Sequence, residues 1–153
     1  MIMVHHYTTE HHHLPLILTS GSLRPNNAGA EHEPPLVWFS KAQRWEGTAT
    51  KMVMGADGPR LLTFAEQLAE FGCARFSLPA DDARLMSWVD ACKYAGITST
   101  TRRKLESVGR KRGASPINWF AIAGDVPLAD VRLQRFDGAA WVGYSSAEGV
   151  THG

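Results

Sequence analysis

The sequence predicts a single α+β domain, and three observations carry that prediction. Short runs of strand formers and amphipathic helical stretches mix along the chain without a regular βαβ alternation. Glycines close several of the helical stretches, where a left-handed residue ends a helix. With 153 residues, 44% of them hydrophobic, the chain can bury one ordinary core but not two. Residues 1–153 are therefore read as one domain.

Ile2 to Thr8 is rich in strand formers and predicts a first strand. Glu10 to Ser20 predicts a short helix, with Pro15 tolerated in a first turn and Gly21 as the C-terminal cap. Leu23 starts a second extended piece. Pro25 to Pro34, with its Asn, Gly and Pro, predicts a loop. Leu36 to Ser40 is a compact apolar run, the pattern of a buried strand. Lys41 to Met54 has no clean period, and Ala56 to Arg60 predicts a turn around Asp57-Gly58-Pro59.

Thr63-Phe64-Ala65-Glu66 has the capping-box pattern, so a helix is expected from Phe64 to Phe71, closed by Gly72. Cys73 to Leu78 alternates as a strand does. Asp82 to Tyr94 places Leu85, Trp88, Val89 and Cys92 on one helical stripe, with Gly96 as the stop. Thr100 to Arg112 predicts a further helix ending at Gly113. Trp119 to Ala123 and Val131 to Phe136 predict strands, and Asp137-Gly138 turns the chain back into Trp141 to Tyr144.

Charge and composition exclude several classes. A formal net charge of +1 is that of neither a general polyanion binder nor an acidic solvating chain. The two cysteines, Cys73 and Cys92, form no CxxC pair, which points to a reducing cytoplasm. The N-terminus lacks the charged start and apolar run of a signal peptide, and no apolar stretch approaches the roughly 18 residues of a membrane span. Walker, GxGxxG and GxSxG motifs are absent. Five histidines lie between His5 and His13, but in neither metalloprotease nor finger spacing, so no metal site is expected.

The chemistry-bearing residues gather near the start. In His6-Tyr7-Thr8 an imidazole offers a hydrogen bond and a phenol ring a stacking surface. That combination suits a ribose and a flat heteroaromatic ring, against the alternative of a buried tyrosine beside a surface histidine. Glu46, between Trp45 and Gly47, follows the Leu36 to Ser40 strand closely and is either a ligand-facing carboxylate or a solvated one. Arg24 leaves a turn near the first strand, and Arg75 sits mid-strand, where a guanidinium faces water or an anion. Arg102 to Arg112 carries six positive side chains and one negative. Such a run attracts a phosphate-bearing partner or is a solvated helix face.

The order His-Tyr-Thr, short helix, Ile-Leu-x-x-Gly-x-Leu, loop, apolar strand ending in Ser resembles the start of the ADP-ribosyltransferase superfamily. That group includes the toxin-like transferases and the NAD-dependent RNA 2′-phosphotransferases. The resemblance covers about the first 40 residues. It implies two small facing antiparallel sheets with flanking helices, clamping NAD as co-substrate. It also implies that His6 positions ribose with Thr8 beside it. Tyr7 and Trp38 would shape the nicotinamide pocket, and Ser40 would brace it.

The family's late-strand glutamate grips ribose and offsets charge as the nicotinamide bond breaks. Here the late strand offers Gln134, with Asp137 and Glu148 beyond it. A glutamine can bond a ribose but cannot balance a developing positive charge. Glu46 or Gln134 is therefore expected to supply the ribose contact. The activity implied is ADP-ribosyl transfer from NAD to a protein or nucleic-acid acceptor, the latter met by Arg102 to Arg112. The alternatives are a 2′-phosphotransferase-like enzyme and a non-enzymatic binding or inhibitor module of mobile-element origin, which the departure at Gln134 favours.

Overall fold

The computed structural model describes residues 1–25 and 36–144. Most of the loop expected at Pro25 to Pro34, and Glu148 with the chain end, lie outside the described residues. In chain order the strands are β1 (Met3–Thr8), β2 (Ser22–Leu23), β3 (Leu36–Ser40), β4 (Met52–Gly55), β5 (Gly58–Leu61) and β6 (Ala74–Pro79). They continue with β7 (Met86–Ser87), β8 (Trp119–Ala123), β9 (Val126–Pro127), β10 (Arg132–Phe136) and β11 (Trp141–Gly143). The helices are α1 (His13–Ser20), α2 (Phe64–Phe71), α3 (Trp88–Ala95) and α4 (Ser99–Lys111).

The fold is α+β with antiparallel pairing, as expected. Its strands do not divide into two separate facing sheets. Seven of them hydrogen-bond in one sheet, in the order β11-β10-β6-β1-β3-β8-β7, and β2-β9 and β4-β5 form two-stranded ribbons. The join between β1 and β3 is thin: only His5 and Ser40 pair across it, whereas β1 pairs with β6 from Met3↔Pro79 to Thr8↔Ala74.

Successive strand residues face opposite sides of a sheet, and here the two sides differ. Val4, Val37, Phe39, Phe76, Leu78 and Ile122 face the main core, which is closed by Leu14 of α1, Leu23 of β2 and Val126 of β9. On the other side, Leu36 and Ala121 pack against Ala91 and Ala95 of α3. Near the middle of that second side the buried residues are polar: His5, Ser40, Arg75 and Ser77.

The stretch 41–46, which has no clean period in sequence, is a strap across this polar face. Its carbonyls are met by side chains rather than by a ladder. The Tyr7 hydroxyl donates to the Ala42 carbonyl, Arg75 Nη1 to that of Gln43 at 2.6 Å, and Trp141 Nε1 to that of Arg44 at 2.8 Å. Backbone carbonyls that leave the sheet need such partners when covered. Beneath the strap the proton positions are determined. Gln43 Nε2 donates to the Met3 and Lys41 carbonyls at 3.0 and 2.7 Å, so its Oε1 accepts from His5 Nε2 at 3.0 Å. His5 Nδ1 is then the acceptor for the Ser77 hydroxyl at 2.6 Å.

Helix α2 begins with the expected capping box: Thr63 Oγ1 accepts from Glu66 N, and Glu66 from Thr63 N. Two helices start later than expected: α1 at His13 rather than Glu10, and α3 at Trp88 rather than Asp82. Thr9 Oγ1 accepts from His13 N at 3.0 Å, which ends the preceding turn, while Glu10 leaves to pair with Arg135 at 3.1 Å. Before α3, Arg84 bridges Asp82 and Asp130 in a turn, and Ser87 caps the helix through Asp90 N. Among the described residues no helix is long and apolar enough to cross a membrane.

Candidate functional site

Where the β1–β3 ladder stops, a side chain takes over. His6 Nδ1 donates to the Trp38 carbonyl at 2.8 Å. A carbonyl only accepts, so Nδ1 carries the proton, and burial pushes the imidazole below its ordinary pKa against the pull of that bond. His6 is therefore neutral near pH 7, and Nε2 is the acceptor it offers.

His6 lines a cavity of about 380 Å³ between β1, α1 and residues 48–51. The other polar groups on its wall are Tyr7, Thr8, Thr9, His13, Arg24, Thr48, Thr50 and Lys51. A second chamber of about 270 Å³ shares His6, Leu16, Ile17 and Arg24 with it. Small-ligand sites occupy roughly 300–1,000 Å³, so the pair is of ligand size. Among the described lining residues stand two cations, Arg24 and Lys51, and no carboxylate, so their net charge is positive.

Four residues singled out in sequence thus share one wall: His6, Tyr7, Thr8 and Arg24. Tyr7 reaches it from the strap side, its ring packed against Trp45 and Trp141 at 5.1 and 5.6 Å between centroids. Burial pushes its hydroxyl up to about 12, the Glu46 charge adding to this and Arg75 opposing it. His13 and residues 48–51 also line this wall, a placement the sequence reasoning does not predict. Their signal was the alternation of hydroxyls and a cation in Thr48-Ala49-Thr50-Lys51, directly after Glu46-Gly47.

Glu46 places that segment. Its carboxylate is buried and accepts four hydrogen bonds: Ser40 Oγ at 2.8 Å, Thr48 N at 3.0 Å, Thr48 Oγ1 at 2.6 Å and Trp119 Nε1 at 3.2 Å. It caps the 3₁₀ turn Gly47–Ala49. A Cβ on Gly47 would lie 2.2 Å from the Arg112 carbonyl oxygen, so only glycine lets this turn rest on the end of α4. Further on, Gln67 Oε1 of α2 accepts from Lys51 N at 2.9 Å.

The remaining sequence candidates lie elsewhere. Ser40 and Glu46 bond each other beneath the strap, and neither lines the cavity, because Glu46 faces Trp119 and the Thr48 amide. Arg75 is buried under the strap and gives Nε to Gln134 Oε1 at 2.8 Å. Its Nη1 goes to the Gln43 carbonyl, and its guanidinium lies 4.4 Å from the Trp141 ring centroid. Arg75 and Gln134 thus hold the strap rather than an anion. Trp38 points to the other face, packs on Trp88 at 5.6 Å, and lines a different groove. Among the described residues no three His, Cys, Asp or Glu side chains come together to hold a metal ion. Burial pushes the Cys73 thiol up to about 12, so it is not a nucleophile at neutral pH.

The fold and site define an α+β protein with a cationic, hydroxyl-lined cavity at the edge of a polar strap. Compared with family models, with curated proteins and with solved structures, the chain gives no match.

Proposed function

We propose that the cavity binds a dinucleotide of the NAD type and that the protein transfers its ADP-ribosyl group to an acceptor. The observation that carries the reading is the convergence of His6, Tyr7, Thr8 and Arg24 on one wall, with Lys51 completing it. In this reading Arg24 and Lys51 meet the pyrophosphate. His6 Nε2 accepts from a ribose hydroxyl, and Tyr7 with Thr8 borders the ring end. Bound NAD would supply the labile nicotinamide bond; the chain supplies orientation and charge.

A second reading, binding without transfer, is favoured by one specific observation. Among the described residues no carboxylate lines the cavity, and Glu46 already accepts four bonds, so none of them offsets positive charge as nicotinamide leaves.

Thermal unfolding with NAD, ADP-ribose and nicotinamide tests the first part. A ligand at about a hundred times its Kd adds roughly 2.7 kcal/mol, which for a chain of this size raises Tm by about 5–11 °C. Arg24→Ala combined with Lys51→Ala is expected to abolish the shift. No shift with either dinucleotide or ADP-ribose would sink the reading. Label transfer from NAD into nucleic acid or protein then separates enzyme from binding module.

A further inference from the structure

We propose that the groove between β3 and α4 binds single-stranded nucleic acid, with Trp38 as a base-stacking platform and the basic side chains of α4 along the phosphates. The groove has a volume of about 550 Å³, and its wall is largely aromatic and aliphatic: Trp38 and Trp119 from the sheet, Trp88 from α3, Leu105 and Val108 from α4. Trp88 and Trp119 are buried and form the floor, while Trp38 is 37% exposed, Leu105 43% and Val108 49%.

The indole edges are already fixed. Trp88 Nε1 donates to Glu106 at 2.6 Å and Trp119 Nε1 to Glu46 at 3.2 Å. The two rings meet edge to face, 5.0 Å apart. What the groove offers a ligand is the exposed Trp38 ring, which any base can stack on, rather than donors that would select one base.

The charge on the rim selects a polyanion. Lys104 and Lys111 of α4 are exposed and flank the Leu105 and Val108 stripe that lines the groove, whereas Arg103 and Arg110 fall on the far side of the helix; Arg112, its C-terminal cap, lines the groove. The helix has a single carboxylate, Glu106, which is engaged by Trp88 and lies 3.9 Å from Arg102. Aromatic interleaving is missing from the Arg102–Arg112 sequence itself; β3 and α3 supply it in space. An acidic peptide would satisfy the cations but brings no regular series of flat rings to Trp38. Thr48 lines both this groove and the His6 cavity, so a strand lying here passes beside the dinucleotide site. That the strand is the acceptor rests on the transfer reading; that it binds does not.

The test is fluorescence anisotropy of a labelled single-stranded oligonucleotide, without NAD, across a salt series. Binding is expected to weaken steeply with salt. Trp38→Ala is expected to weaken it roughly tenfold or more while leaving the salt slope unchanged, and Trp38→Phe to restore most of it. Lys104→Ala with Lys111→Ala is expected to flatten the slope. Absence of binding at low salt, Trp38→Ala binding like the parent, or equal competition by duplex or by polyglutamate would each overturn the proposal. Because NAD is left out, failure here leaves the dinucleotide reading standing, and a missing thermal shift with NAD leaves this one.

Discussion

Replacing Glu46 by Gln changes one atom and should unfold the protein measurably. The carboxylate accepts from two pairs of donors, Ser40 Oγ with Trp119 Nε1 on Oε1, and Thr48 N with Thr48 Oγ1 on Oε2. An amide has one accepting atom, so either seating turns its NH2 toward one pair. The hydroxyls can rotate away, but the Trp119 and Thr48 N–H groups cannot. One fixed donor is left unmet, and its lost bond was to a charged acceptor. Such bonds are worth about 1.5–3 kcal/mol, and an unmet buried donor adds its own desolvation cost. A loss of about 3 kcal/mol corresponds to roughly 6–12 °C in Tm at this chain length. Calorimetry and urea unfolding of Glu46→Gln measure it. A Tm within about 2 °C of the parent would refute the anchoring role. If NAD-dependent transfer were lost at the same time, Glu46 would have to be reassigned to the chemistry.

Gly109→Ala tests the seat of α4. Glycine costs a helix about 1 kcal/mol relative to alanine, so sequence alone recommends the change, yet the new Cβ would lie 2.4 Å from the Trp119 ring. Overpacking of that kind is expected to destabilise by about 1–3 kcal/mol in urea unfolding, and a stabilised variant would contradict the packing. His5 tests the strap. Burial holds its imidazole down to about 4 against 6.5 in an open chain, the Gln43 bond opposing and Arg75 adding. Its folded pKa is depressed, so stability is full above pH 6.5 and falls as pH drops toward 4. The loss is on the order of 3 kcal/mol, with His6 and His13 shifted the same way. His5→Gln is expected to remove the His5 part of that slope; an unchanged pH profile would rule His5 out as its source.

Local chemistry was legible in the sequence, and distant pairing was not. Helix α2 could be read to the residue because Thr63, Glu66 and Gly72 punctuate it within one short window. β3 and β8 could be read because each is a compact apolar run. The start of α3 is not legible, because Leu85 continues an apolar stripe while Arg84 fixes the chain from Asp130, far along the sequence. The joining of strands into one sheet depends on a single pair, His5↔Ser40, which no local pattern encodes. The same holds at the site. His6, Thr8 and Arg24 lie near one another in sequence and share the cavity. Arg75 and Gln134 read as ligand groups because a polar residue mid-strand looks unpartnered until the strap that uses it is seen.

The central position of β1 has a kinetic cost. It lies between β3 and β6 in the sheet, yet His5 meets Ser77 only 72 residues further along the chain, and β10 reaches the sheet only through β6. Closing so large a loop before any pairing energy is returned makes such topologies slow to assemble. During that wait the β6-side edge of β1 is bare, and an unpaired strand edge is exposed to aggregation.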